Sequence, residues 1–117
     1  MKSYRDLIVW QKSVTMATLI YKLVSTFPDE EKYELTSQIK RSSVSVPSNI
    51  AEGYGRNYTK DYARFLQIAR GSLFEMQTQF QIALNLDFIK EKDLDEIKSL
   101  SEEIEKMLNV LIKKLSS

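Results

Sequence analysis

Cysteine and histidine are both missing from this 117-residue chain, and each absence closes off a class of chemistry. Without Cys there are no disulfides, thiolate nucleophiles or Cys-ligated zinc sites. Without His the usual general base is gone, and with it the Ser-His-Asp triad and the Glu-x-x-His motif of di-iron bundles. No EF-hand loop, Walker loop or dinucleotide fingerprint is present, so neither a metal nor a cofactor is expected. These exclusions point away from an enzyme.

Long apolar runs are missing too. No stretch approaches the roughly 20 apolar residues of a membrane span, and Leu7-Ile8-Val9-Trp10 is too short an apolar run for a signal peptide. The expected location is the cytoplasm, with no membrane contact. Only three Gly and two Pro interrupt the chain, which favours long helices over a many-turned β fold.

What is present is ordinary for a soluble domain: 43% hydrophobic and 28% charged residues, at a length that suits one core. Residues 1–117 read as a single domain. Leu7, Trp10, Val14, Ala17, Tyr21 and Val24 recur every three or four residues, the rhythm of a helix burying one face. Pro28 stops this helix, and Asp29-Glu30-Glu31 supplies an acidic first turn for the next. Helix two is expected from about Glu31 to Gly55, with Leu35, Ile39, Val46 and Ile50 inside. Ser43-Val44-Ser45-Val46 alternates like a strand, but it has no partner strand, so a helix kinked just before Pro47 is preferred. Gly53 and Gly55 then end it.

Thr59 is placed to cap helix three, whose core row is Tyr62, Leu66, Ala69, Leu73, Met76, Phe80 and Ala83. Gly71-Ser72 costs helix propensity and is expected to admit helix two's serines (Ser42, Ser43, Ser45, Ser48) at close range. Asn49, Glu52 and Glu75 are candidates for a structural polar cluster at that contact. After a turn from Asp87 to Lys92, helix four carries Leu94, Ile97, Ser101, Ile104, Leu108, Leu111 and Leu115. Four helices on short loops give an all-α, antiparallel up-down four-helix bundle.

Net charge is only +1, but it is unevenly spread. Between residues 40 and 70, Lys40, Arg41, Arg56, Lys60, Arg64 and Arg70 face only Glu52 and Asp61, a net of +4. Residues 87–117 hold six Lys against eight Asp and Glu, a net of −2. The six basic residues, with Tyr54, Tyr58 and Tyr62 among them for stacking, are the candidate nucleic-acid-binding set. The competing reading is a solvated face with local ion pairs.

Helix one also carries a second apolar row: Met16, Ile20, Leu23 and Phe27. A small bundle needs one buried stripe per helix, so this row is assigned to a subunit interface and the protein to a homo-oligomer. Trp10 belongs to the core or to that interface.

Several segments carry a family likeness. Leu7-x-Val9-Trp10-Gln11-Lys12, Phe27-Pro28-x-x-Glu31-x-Tyr33-Glu34-Leu35-Thr36, Gln38-Ile39-x-Arg41, Ser45-Val46-Pro47-Ser48-Asn49-Ile50-Ala51-Glu52-Gly53 and Phe65-Leu66-x-Ile68-Ala69-Arg70-Gly71-Ser72-Leu73-x-Glu75 span nearly the whole chain. They resemble the four-helix bundle proteins encoded in intervening sequences of bacterial 23S rRNA genes, a family related to the accessory protein of diversity-generating retroelements. The resemblance implies an up-down bundle assembled as a ring-like homo-oligomer, a homopentamer. It also implies a basic surface that engages structured RNA and a partner such as a reverse transcriptase; a protein scaffold without nucleic-acid contact is the alternative. Arg41, Arg56 and Arg70 fall in or beside matching motifs, while Lys60 and Arg64 lie between them. Asn85-Leu86-Asp87-Phe88 departs from the family, which often has Gly in this turn.

Overall fold

The computed structural model describes residues 3–116. Among these residues there are four α-helices: α1 (Ile8–Val24), α2 (Leu35–Tyr54), α3 (Thr59–Asn85) and α4 (Asp95–Ser116). Single 3-10 turns at Tyr4–Asp6, Asp29–Glu31 and Glu91–Leu94 precede α1, α2 and α4, and there is no strand among the described residues. Around the core α1 borders α2 and α4, and α3 borders α2 and α4, with α2 against α3 the most extensive contact. The result is an up-and-down bundle measuring 43 × 24 × 22 Å. No helix among the described residues is long and apolar enough to cross a membrane.

The interior of α1 lies on the row assigned to a partner subunit. Met16 and Ile20 are wholly buried, Phe27 is nearly so, and Leu23 packs against the same core. These residues face their own bundle, so the interface assignment for Met16, Ile20, Leu23 and Phe27 is corrected. The other row is split: Leu7, Ala17 and Val24 are buried and Val14 and Tyr21 are exposed, while Trp10 lies half-buried, edge-on to Tyr4 with ring centroids 5.2 Å apart. The inner row runs Val9, Ser13, Met16, Ile20 and Val24. A serine at its centre is tolerated because Ser13 Oγ donates to the Val9 carbonyl at 2.7 Å, satisfying the hydroxyl inside its own helix.

Helix two starts later than the acidic run suggests. Asp29–Glu31 forms a 3-10 turn, and α2 begins at Leu35, whose N–H donates to the Glu31 carboxylate at 3.3 Å. Leu35–Tyr54 is one continuous helix with Pro47 inside it. Ser42 and Ser43 bond back to the carbonyls of Ile39 and Lys40, one turn ahead of the proline, so the strand-like alternation belongs to a helical segment. At the next junction Tyr58, in extended conformation, occupies the cap position and Thr59 is the first helical residue.

Close approach of α2 and α3 centres on Gly53, not Gly71. A Cβ at Gly53 would lie 2.7 Å from Phe65 Cβ and 3.2 Å from the Tyr62 carbonyl oxygen. At Gly71 an added Cβ would meet nothing within 4 Å, so this glycine faces outward and costs α3 about 1 kcal/mol relative to Ala. The serines of α2 do reach α3, through other partners: Ser45 Oγ lies 2.8 Å from Ser72 Oγ, and Ser42 Oγ donates to Gln79 Oε1 at 2.8 Å. The cluster of Asn49, Glu52 and Glu75 is absent, since Asn49 bonds Ser45, Glu52 pairs with Arg56 and Glu75 is exposed elsewhere on α3.

Asp87 supplies the left-handed residue of the third loop, with φ 61°. Phe88 N–H donates to the Ala83 carbonyl and Asp87 N–H to that of Leu84, both at 3.0 Å, which closes α3 in a Schellman motif. Phe88 then stacks at a tilt on Phe27, with centroids 5.7 Å apart, sealing this end of the core. In α4 the buried positions are Ile97, Ser101, Ile104, Leu108 and Ile112, so the core row steps from Leu111 to Ile112 as the 3.6-residue repeat drifts against seven.

Candidate nucleic-acid interface

Antiparallel packing splits the six basic residues by height along the bundle. Lys40 and Arg41 lie on the early turns of α2, and Arg56 follows its far end roughly 22 Å away at 1.5 Å per residue. The Lys40 ammonium sits over the Tyr21 ring, 5.0 Å from its centroid, and Arg41 lines a shallow hollow with Lys32, Tyr33 and Ser37. Arg70 points across to α4, donating to Asn109 Oδ1 at 2.9 Å. Lys40 and Arg41 share that hollow, whereas Arg56, Lys60 and Arg64 gather at the α2–α3 junction. The continuous strip read from the chain is therefore three separate groups.

At the α2–α3 junction the local geometry is defined by Phe65. The Arg56 and Arg64 guanidiniums lie 4.7 and 4.9 Å from its ring centroid, and Arg56 also donates to Glu52 at 2.6 Å. Stacking and pairing orient these side chains while leaving them exposed, and an exposed pair four residues apart contributes only about 0.5 kcal/mol. Among the interleaved tyrosines, Tyr58 is 72% exposed and open for stacking. Tyr54 and Tyr62 pack edge to face, 6.0 Å between centroids, and both are half-buried. Burial, and then the nearby Tyr54 hydroxyl, push the Tyr62 phenol above its usual pKa.

The fold adds residues that the linear reading omits. The start of α1, the end of α2, the start of α3 and the end of α4 share one end of the bundle, with α3 held in register against α4 by Gln77–Ser101 and Arg70–Asn109. Arg5 lies on the turn before α1, Lys113 and Lys114 on the last turn of α4. Residues 3–8, 52–64 and 113–116 thus bring six basic side chains (Arg5, Arg56, Lys60, Arg64, Lys113, Lys114) to this end against Asp6, Glu52 and Asp61, a net of +3. At the opposite end, residues 22–34 and 85–98 carry five Lys against nine Asp and Glu, a net of −4. Charge summed by height would have revealed this polarity; charge summed along the chain does not.

No group of three or more Asp or Glu side chains is arranged to hold a metal ion among the described residues. A 360 Å³ groove between α3 and α4, floored by Met76, Phe80, Leu94 and Ile97, is bridged by Gln77, whose amide donates to Ser101 Oγ and Glu105 Oε1.

Fold and charge together define a small up-and-down four-helix bundle with one basic and one acidic end. The chain belongs to the 23S rRNA-intervening sequence protein family, whose model matches residues 5–110. Its fold is shared by a crystal structure at 1.70 Å of a protein of unknown function from the S23 ribosomal protein family of Bacteroides thetaiotaomicron VPI-5482. The two are 27% identical with a TM-score of 0.81, over 91% of this chain and 99% of that one. Comparison with curated proteins finds no match.

Proposed function

We propose that the protein is a non-enzymatic, cytoplasmic RNA-binding protein that works as a ring-like homo-oligomer, each subunit presenting its basic end to structured RNA. The observation that carries this reading is the convergence of Arg5, Arg56, Lys60, Arg64, Lys113 and Lys114 on one end of a bundle whose other end is acidic. Lysines and arginines that replace phosphate counterions gain affinity by releasing them, and the acidic end orients the molecule with its basic end toward the polyanion. A net +3 per subunit is modest alone. A homopentamer, the assembly implied by the resemblance, multiplies it by avidity. Exposed Tyr58 offers a face for an unpaired base. The family's tie to a 23S rRNA intervening sequence makes structured RNA the ligand of choice.

The test is RNA binding measured across a salt series. Affinity falls as salt rises, and Arg56→Glu with Arg64→Glu weakens it; absent or salt-insensitive binding overturns the proposal.

A second reading is a protein scaffold with no nucleic-acid contact, favoured by the acidic end, whose net −4 suits a basic partner protein such as a reverse transcriptase. Capture of only protein from the native host, unchanged by nuclease, would select it.

A further inference from the structure

Among the described residues, two apolar features lie at mid-height on the outside of the bundle, on different sides of it. One is a shallow groove along α1 and α2 lined by Val14, Ala17, Thr18, Tyr21, Val44 and Pro47, in which Val14, Tyr21 and Val44 are 37–44% exposed. The other is the outer face of α3. There Ile68, Gly71, Glu75, Thr78 and Ile82 follow at intervals of three and four along one strip, and Phe74 flanks it. Ile68, Phe74 and Ile82 are each more than 40% exposed, and Gly71 opens the strip's centre to any approaching backbone. Among the described residues no atom within 4 Å of an added Cβ requires that glycine.

The two features sit at the same height. Lys40 over Tyr21 sets the register of α1 against α2, which puts Val44 near Ala17 and Pro47 near Val14. The Ser42–Gln79 and Ser45–Ser72 bonds set α2 against α3, which puts residues 71–79 of α3 level with the groove. Charge also matches: Lys40 stands at the groove's rim, and Glu75, within about a helical turn of that height, makes no ion pair among the described residues.

We propose that a second copy of this chain lays the outer face of its α3, centred on Gly71, into the α1–α2 groove, with Glu75 against Lys40. A groove and a ridge on different sides of one subunit make a heterologous contact. Because they lie level, rotation about an axis parallel to the bundle brings them together without a rise along it, so the series closes into a ring and does not extend as a filament. The same rotation keeps every basic end on one rim. This deepens the ring-based reading above by naming its seam.

Engineered cysteines test the seam cleanly, because the chain has none of its own. Thr18 and Gly71 are both exposed, so the folded subunit bears Thr18→Cys and Gly71→Cys, with helicity confirmed by circular dichroism. Under an added oxidant the double variant gives a ladder of linked subunits on a non-reducing gel, and each single variant stays at 13.6 kDa. Glu75→Lys reduces the assembly to a 13.6 kDa particle in light scattering, and adding Lys40→Glu restores it. No cross-linking in the double variant, dimers from Gly71→Cys alone, or unchanged particle size in Glu75→Lys each overturn the seam. A wild-type monomer that binds RNA refutes the seam and not RNA binding; a ring with this seam that ignores RNA does the reverse.

Discussion

Gly53 and Phe65 meet so closely that a Cβ on the glycine would fall 2.7 Å from the phenylalanine's own Cβ. This contact sets the spacing of α2 and α3 beside the basic end, and Phe65 is the ring on which Arg56 and Arg64 stack. Gly53→Ala forces the helices apart. The overpacking cost of about 1–3 kcal/mol exceeds the propensity gain expected one residue from the end of α2. Gly55→Ala, whose Cβ would sit 3.6 Å from the Glu52 carbonyl oxygen, changes stability by less than about 0.5 kcal/mol. Urea denaturation of the two variants measures the difference.

Thr36 Oγ1 is buried with no hydrogen-bond partner among the described residues. An unsatisfied buried hydroxyl costs about 1–3 kcal/mol, and Val has nearly the same shape. Thr36→Val therefore raises the urea midpoint with an unchanged slope; a lower midpoint refutes the assignment.

Asp87 holds the left-handed position of the loop after α3. Glycine takes that conformation without a Cβ clash, so Asp87→Gly stabilises by up to about 1 kcal/mol, and a β-branched residue there destabilises. Melting temperatures in the order Gly, Asp, Val are the expected result.

Tyr62 gives the molecule an alkaline weakness. Its pKa is raised in the fold, so the unfolded chain loses this proton first as pH rises. The stability concerned is fully present below about pH 10, the ordinary tyrosine value, and is lost as pH climbs through the raised folded value. Tyr62→Phe flattens the alkaline arm of a stability-against-pH curve without altering it near neutrality.

Much of the bundle is legible in the chain. Ile39, Val46 and Ile50 of α2, and Leu66, Ala69, Leu73, Met76, Phe80 and Ala83 of α3, lie inside as their spacing requires. Helix one is different because both of its rows are apolar and share the same period. Ser13 makes the true inner row look weaker, and its bond to the Val9 carbonyl is invisible to any hydrophobicity count. The candidate site is legible only in fragments. Arg56, Lys60 and Arg64 are neighbours in the chain, whereas Arg5, Lys113 and Lys114 reach that end only through the order in which the helices run. Lys40 and Arg70 look contiguous with the others in sequence, but lie at other heights or turn toward another helix.

The central claim, a basic end that binds RNA, is tested most directly by the slope of log affinity against log salt. Arg56→Glu with Arg64→Glu should weaken binding at least about tenfold and reduce that slope by about two phosphate contacts, each worth about 0.7–0.9. Lys90→Glu with Lys92→Glu, the same charge change at the acidic end, should leave the slope nearly unchanged. Equal effects from the two pairs, or none from either, would contradict the account.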